Sequence, residues 1–273
     1  MVRIRLISFL VILSVSAAFA ESPKQQSAGA VSGRIMFSEQ SPMLNAMVLI
    51  FNQQLGPPPH PYKYWRIPDE IFSAGPDGRF SINLQEGIYY LMIAQKNLDR
   101  DVGPPSLDEF VYVHGDKDGN ALPLKIESGK TLELGDLSGV YLWKADKVER
   151  EKGVTSASGV VEDSAGKPVN GVIIFAYLSR GAKGRPAFVS DRTDKDGKFT
   201  IRFFGEGRYF LKVREVIGGG MPRKGELTNV DREFEPVMIE LKKDEKLKNV
   251  KLQVKMFSRP DKASVLDKNE SLK

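Results

Sequence analysis

With two histidines and no cysteine, the chain has little material for catalysis. Most active sites need a metal, a nucleophile with its base, or a phosphate cradle. A zinc peptidase motif would need His-x-x-Glu. The third residue after His60 is Lys63, and the third after His114 is Lys117, so neither histidine opens one. Ser128-Gly129-Lys130-Thr131 contains the Gly-Lys-Thr of a phosphate loop, but the glycine needed five residues earlier is Leu124. Asp116-Lys117-Asp118-Gly119-Asn120 and Asp194-Lys195-Asp196-Gly197 look like calcium loops. Aligned on their glycines, an EF-hand would have to start at His114 or Arg192 and close at Lys125 or Phe203, and none of these is an acid. No carboxylate pair sits in an apolar or aromatic setting that would suit glycoside hydrolysis. The expectation is therefore no enzyme, no catalytic residue, no resident metal and no cofactor. Weak extracellular calcium binding stays open, and a carbohydrate-active hydrolase is the least favoured reading.

Binding chemistry is better represented. Gly56-Pro57-Pro58-Pro59-His60-Pro61 leads into Tyr62, Tyr64 and Trp65. Prolines lower the ordering cost of a loop, and Tyr and Trp present flat amphipathic faces to a sugar ring or a protein. These three aromatics are candidate contacts, with the alternative that Tyr64 and Trp65 fold back to plug the end of a β-sandwich. A later loop carries Arg180, Lys183 and Arg185, and another runs Gly218-Gly219-Gly220-Met221-Pro222-Arg223-Lys224. Their positive charge would suit an acidic surface polymer, or is merely a solvated face.

The elements that must hold these loops repeat at an offset of about 120 residues. Val31-Ser32-Gly33-Arg34-Ile35 is echoed by Ala157-Ser158-Gly159-Val160-Val161, and Ala46 to Phe51 by Val172 to Tyr177. Asp77-Gly78-Arg79-Phe80-Ser81-Ile82-Asn83-Leu84 is echoed by Asp196-Gly197-Lys198-Phe199-Thr200-Ile201-Arg202-Phe203. Asp-Gly followed by strict alternation reads as a hairpin turn into a half-buried strand. Phe80, Ile82 and Leu84 then share one face, as do Phe199, Ile201 and Phe203. After Glu86-Gly87 and Glu206-Gly207, the faces Tyr89, Leu91, Ile93 and Tyr209, Leu211, Val213 follow. Arg208 and Lys212 are expected on a solvated opposite face. A last alternation, Val250, Leu252, Val254 and Met256, completes the second copy. The pattern predicts an all-β chain of two tandem Greek-key, Ig-like β-sandwich domains, about seven strands each, over residues 29–143 and 154–257. Residues 144–153 read as a charged linker or short helix, and 258–273 as a disordered tail.

The ends and the charge set the surroundings. Arg3 and Arg5, an apolar run from Leu6 to Val15, and Ala18-Phe19-Ala20 read as a signal peptide over 1–20, with an uncleaved anchor as the alternative. The run is shorter than the roughly 20 residues a membrane span needs. Loss of two arginines from the formal +5 leaves a mature net charge of about +3, too weak and too mixed with acids to imply nucleic acid. An exported protein, periplasmic or secreted to the cell surface, is expected.

The second copy closely resembles the carboxypeptidase regulatory-like domain, a transthyretin-like sandwich. The resemblance rests on Ser158-Gly159-Val160-Val161, Gly166-Lys167-Pro168-Val169, Thr193-Asp194-Lys195-Asp196-Gly197-Lys198-Phe199 and Gly207-Arg208-Tyr209-Phe210-Leu211-Lys212-Val213. The first copy is similar to a divergent member. It keeps Ser32-Gly33-Arg34-Ile35, Asp77-Gly78-Arg79-Phe80 and Gly87-Ile88-Tyr89-Tyr90, but has Ser41-Pro42-Met43 in place of the Gly-Lys-Pro turn. The resemblance implies an accessory module of extracytoplasmic proteins, found beside catalytic domains. Its matched positions are turns and core, so they carry no function of their own. The expected role is a non-catalytic binding or scaffold protein that recognises a protein or polysaccharide of the cell surface, or else a self-associating structural subunit of a surface assembly.

Overall fold

The computed structural model describes residues 28–95, 103–105, 109–150, 152–217, 221–229 and 235–258. The segment 1–20 lies outside them, as do Gly218 to Gly220 and, Ser258 apart, the tail 258–273. The first half holds β1 (Ala28–Ser38), β2 (Ser41–Pro42), β3 (Ala46–Asn52), β4 (Glu70–Ser73), β5 (Arg79–Gln85), β6 (Gly87–Gln95), β7 (Phe110–Val113), β8 (Leu124–Ile126), β9 (Thr131–Leu137) and β10 (Tyr141–Leu142). A short helix, α1 (Ala145–Arg150), occupies much of the stretch between the repeats. The second half holds β11 (Thr155–Glu162), β12 (Ile173–Tyr177), β13 (Phe188–Arg192), β14 (Lys198–Phe203), β15 (Gly207–Arg214), β16 (Leu227–Thr228), β17 (Val237–Leu241), β18 (Lys246–Gln253) and β19 (Lys255–Met256).

Each half is a β-sandwich. In the first, β5, β1 and β9 form one sheet and β10-β7-β6-β3-β4 the other, with β8 also on β6. In the second, β14-β11-β18 faces β13-β12-β15-β17. The repeat extends to an irregularity. In each sandwich the first strand runs parallel to a late one, β1 to β9 and β11 to β18, and each pair slips by one residue, at Ser32/Arg34 and at Ala157/Gly159. The extra residue takes a left-handed backbone, Gly135 at φ 68° and Asn249 at φ 62°. Glycine adopts that region without strain, and asparagine is among the few others that do so readily.

The Asp-Gly turns are not hairpins between paired strands. Asp77-Gly78 carries the chain from β4 in one sheet to β5 in the other, and Asp196-Gly197 does the same from β13 to β14. Each glycine tucks under the first strand: Gly78 O accepts from Ile35 N at 2.9 Å, and Gly197 O from Val161 N at 2.9 Å. A Cβ at Gly78 would lie 2.4 Å from Ile35 O, which explains glycine there. Alternation alone does not reveal whether the next strand pairs with its predecessor or with the opposite sheet.

The alternating faces pack as expected. Val31, Val48, Ile82, Leu91 and Ile93 fill the first sandwich, and Val161, Ile174, Ile201, Leu211 and Leu252 the second. Met256 does not join its row. It is 72% exposed, because β18 ends at Gln253 and β19 pairs with β16, which turns Phe257 inward instead.

The other faces of β3, β6 and β12 are also apolar, and they meet. Leu49 and Phe51, with Tyr90, Met92 and Ala94, pack with Ile173, Phe175 and Tyr177 in a third core that joins the two sandwiches. Four sheets are thus stacked, the two inner ones buried on both faces. That is why Ala46 to Phe51 and Val172 to Tyr177 are continuous apolar runs, whereas the outer strands β5 and β14 alternate with polar residues. Lys212 therefore does not stand on a solvated face. It is 9% exposed, and burial, with Arg214 nearby, pushes its ammonium below the usual lysine range. Arg208, near the strand's start, stays exposed and lies 3.6 Å from Glu240.

Candidate binding groove

The proline-rich loop between β3 and β4 is held from within. Arg66, almost fully buried, donates to Pro57 O at 2.8 Å, to Asn52 O at 2.9 Å and to the Asp69 carboxylate at 2.5 Å. Its guanidinium also sits 5.6 Å from the centroid of the Phe51 ring. Gly56 leaves room for it, since a Cβ there would lie 2.8 Å from Arg66 Nε. Near the loop's tip, His60 O accepts from Lys63 N and Tyr64 N, closing a tight turn.

This pinning draws the three candidate aromatics inward. Tyr62 lies nearly parallel to Trp143, with centroids 6.3 Å apart, and is stacked on Tyr141 at 6.1 Å. Tyr64 enters the core of the second sandwich, edge-on to Phe188 at 5.7 Å and to Phe204 at 5.4 Å. Its hydroxyl donates to Pro58 O, and burial pushes that hydroxyl well above the usual tyrosine range. Trp65 is 2% exposed, and its carbonyl accepts from Val189 N of β13 at 3.2 Å. Against the expectation of solvent-facing contacts, Tyr62, Tyr64 and Trp65 are buried, which for Tyr64 and Trp65 is the fold-back alternative, while Tyr62 and Tyr64 each still line a hollow. Their apolar area is spent on joining the sandwiches, which stabilises more than leaving three rings in water.

The basic loop is also engaged. Arg185 reaches the first sandwich and donates to the Asp69 carboxylate at 2.7 Å, so the two candidate loops do meet, but through an ion pair. Arg180 pairs with Glu235 at 2.6 Å on the surface. Lys183 is exposed. Arg180 and Arg185 thus carry less free charge than expected, because carboxylates distant in sequence neutralise them.

What the folded chain opens instead is two separate hollows beside the turn at His60. One, of about 470 Å³, is lined by Tyr62, Lys63, Lys117, Asp118, Tyr141 and Lys147, among others. The other, of about 350 Å³, is lined by Pro59, Lys63, Tyr64, Phe204, Lys243 and Asp244, among others. His60 and Lys63 border both. The Lys147 ammonium lies 5.5 Å from the Tyr62 centroid and 5.8 Å from that of Tyr141. Sequence reading missed Lys117, Lys147, Phe204 and Lys243. Lys117 belongs to the Asp116 to Asn120 loop weighed above for calcium, Phe204 and Lys243 to two other turns, and Lys147 to α1.

The acidic loops act as turn caps. Asp116 Oδ1 accepts from Asp118 N at 2.9 Å and Asn120 N at 3.0 Å, and the Asn120 side-chain amide donates to Oδ2 at 3.1 Å; that amide first, and then the backbone bonds, hold the carboxyl below the usual range. Asp194 Oδ1 accepts in the same way from Asp196 N and Lys198 N, as does Asp163 Oδ1 from Ala165 N and Lys167 N. Among the described residues, no three His, Asp or Glu side chains gather as metal ligands, and no helix is long and apolar enough to cross a membrane.

No protein-family model matches the chain, and no curated protein matches it. Among solved structures it is similar to the TIE protein of Bacillus anthracis, at 15% identity over 84% of this chain and 34% of that one, with a TM-score of 0.25. It is also similar to GBS52, the minor pilin of Streptococcus agalactiae, at 12% identity over 85% and 98%, with a TM-score of 0.25. A third is BcpA, the major pilin subunit of Bacillus cereus, at 9% over 84% and 100%, with a TM-score of 0.25. The chain spans 34% of the length of the TIE protein and 64% of that of a Streptococcal ancillary pilin.

Proposed function

We propose that the chain is an exported, non-catalytic binding or scaffold protein of the cell envelope or exterior. In this reading it consists of two carboxypeptidase regulatory-like sandwich domains, 29–143 and 154–257, and recognises a protein or polysaccharide partner at the hollows beside His60 and Lys63. The observation that supports it is the core between the sandwiches, in which Phe51, Trp65 and Phe175 bury their rings. Such a core makes two repeats one stiff block, with ligand-accessible surface left to the loops at its side. In-cell crosslinking from a photoreactive residue at position 117, read by mass spectrometry, tests this. A reproducible partner that is lost when the crosslinker is moved to the outer face of β5 is the expected result. Recovery of the same species from both positions would overturn it.

A second reading, a self-associating subunit of a surface assembly, is favoured by β5. It is an edge strand paired only with β1, and Arg79, Ser81, Asn83 and Gln85 are exposed. Free edges invite pairing between chains, although this one also carries the charge and polarity that discourage it. Concentration-dependent oligomers in sedimentation velocity, abolished by Ser81→Pro, would support this reading. A strict monomer up to high concentration would remove it.

A further inference from the structure

The long sheet edges of the molecule are not alike. Bulges, charges and covering segments keep edges from pairing with other chains. β9 and β18 are each interrupted by the slipped residue, and they carry Glu133 and Asp136, and Lys246, Lys248 and Lys251. β14 carries Lys198 and Arg202 and has β13 lying against it, while β13 itself donates from Val189 N to Trp65 O. β17 carries Glu240. β5 pairs with β1 without a slip and runs from Phe80 to Gln85 with no charge and no proline. On the premise of the second reading, that the chain self-associates, we infer that β5 pairs antiparallel with β5 of a second copy about a two-fold axis at Ile82. The pair closes into a dimer whose outer sheets merge in the order β9-β1-β5-β5-β1-β9.

The backbone of β5 is set for this. At its start, the Arg79 carbonyl accepts from Gly75 N at 2.8 Å and the Arg79 N–H donates to Asp77 Oδ1 at 3.1 Å, both on the side away from β1. Peptide groups alternate sides along a strand, so Phe80, Ile82 and Leu84 bond to β1, whereas Ser81 and Asn83 direct N–H and C=O to the open side. In the register that lays the whole of β5 against itself, Ser81 stands opposite Asn83 of the second copy, and the two exchange both backbone hydrogen bonds. Arg79 falls opposite Gln85 and Ile82 opposite Ile82, so no like charges meet. The same self-pairing of β14 would set Lys198 opposite Arg202, which is unfavourable. Because both copies use the same strand, the contact is isologous and stops at two subunits. It adds little apolar burial, since Phe80, Ile82 and Leu84 are already buried, so the dimer is weak and depends on concentration.

The chain has no cysteine, so introduced cysteines report the register directly. Mature S81C and N83C chains, mixed and oxidised, should form the mixed 81–83 disulfide about fivefold or more over either homodimeric bond, because residues paired in this way lie within disulfide reach. S81K/N83K sets lysine opposite lysine and should weaken the dimer about tenfold in sedimentation velocity. S81E/N83E should do the same, and mixing the two variants should restore a dimer. Both positions are exposed, and unchanged melting temperatures would show intact folds. Homodimeric disulfides in excess, oligomers that grow beyond the dimer, or a mixture that stays monomeric while the parent dimerises would each overturn the inference and leave self-association through another surface standing. In-cell crosslinking from position 81 that captures only a different protein would overturn it too, by giving the edge to that partner. A parent that stays monomeric at every concentration would remove the second reading, and the inference with it.

Discussion

Asp69 and Arg185 lie 116 residues apart, and the ion pair between them ties the loops of the two sandwiches together. Arg185 Nη1 donates to Asp69 Oδ1 at 2.7 Å, while Arg66 donates to Oδ2 at 2.5 Å. The same carboxylate thus holds the proline-rich loop from inside and the second sandwich from outside.

The two arginines differ in burial, and so should the effects of losing their partner. Asp69→Ala leaves Arg66, whose side chain is 4% exposed, without its counter-ion and should cost about 3–5 kcal/mol. Arg185→Ala removes a partner whose side chain is 44% exposed and should cost about 1 kcal/mol. Urea titration of both variants measures this, and equal costs would mean that Arg66 does not depend on Asp69.

Phe175 is 1% exposed in the core between the sandwiches. Phe175→Ala should cost about 3–5 kcal/mol from lost transfer and the cavity left behind. Because the loss falls on the shared face, the variant should unfold in two calorimetric transitions where the parent shows one. A single transition in the variant would mean that the sandwiches are coupled mainly by other contacts.

Two glycines separate conformational from steric cost. Gly135 has φ 68° and open space around it, so Gly135→Ala should cost about 1–2 kcal/mol from the left-handed backbone alone. At Gly159 an added Cβ would stand 1.7 Å from Val250 O, so Gly159→Ala must push β18 away from β11. It should destabilise more than Gly135→Ala, with loss of amide exchange protection localised to Val250 to Leu252.

Lys212 has a pH signature. Its folded-state pKa is lowered, by burial first and then by Arg214, so the unfolded chain binds its proton more tightly than the folded chain does. The penalty is fully present below the folded pKa and fades as pH rises towards the ordinary lysine value of about 10.4. Lys212→Met should therefore be as stable as the parent or more so at pH 7, and the advantage should shrink between pH 7 and pH 10 in paired urea titrations. An advantage that grew with pH would reverse the sign and remove the argument.

Much of the fold was legible because alternation is a local property. Phe80, Ile82 and Leu84 face one core, and Phe199, Ile201 and Phe203 its counterpart, as their spacing requires. The buried outer faces of β3 and β12 were also written in the chain, as apolar runs without alternation, but such runs do not say what covers them. Lys212 misled because its charge suggested solvent, whereas it is buried opposite Phe175 of β12, a residue of the core between the sandwiches.

The sequence by itself determined the lack of cysteine, most of the strand faces and the turn positions, because each depends on residues within one strand or one turn. Only the tertiary structure decided that the sandwiches stack face to face, that Tyr62, Tyr64 and Trp65 are largely buried in doing so, and that Lys117 and Lys147 line one hollow and Lys243 another, with Lys63 in the wall of both. Those outcomes depend on contacts between residues far apart in the chain, which form only when burying two apolar faces against each other outweighs leaving them in water.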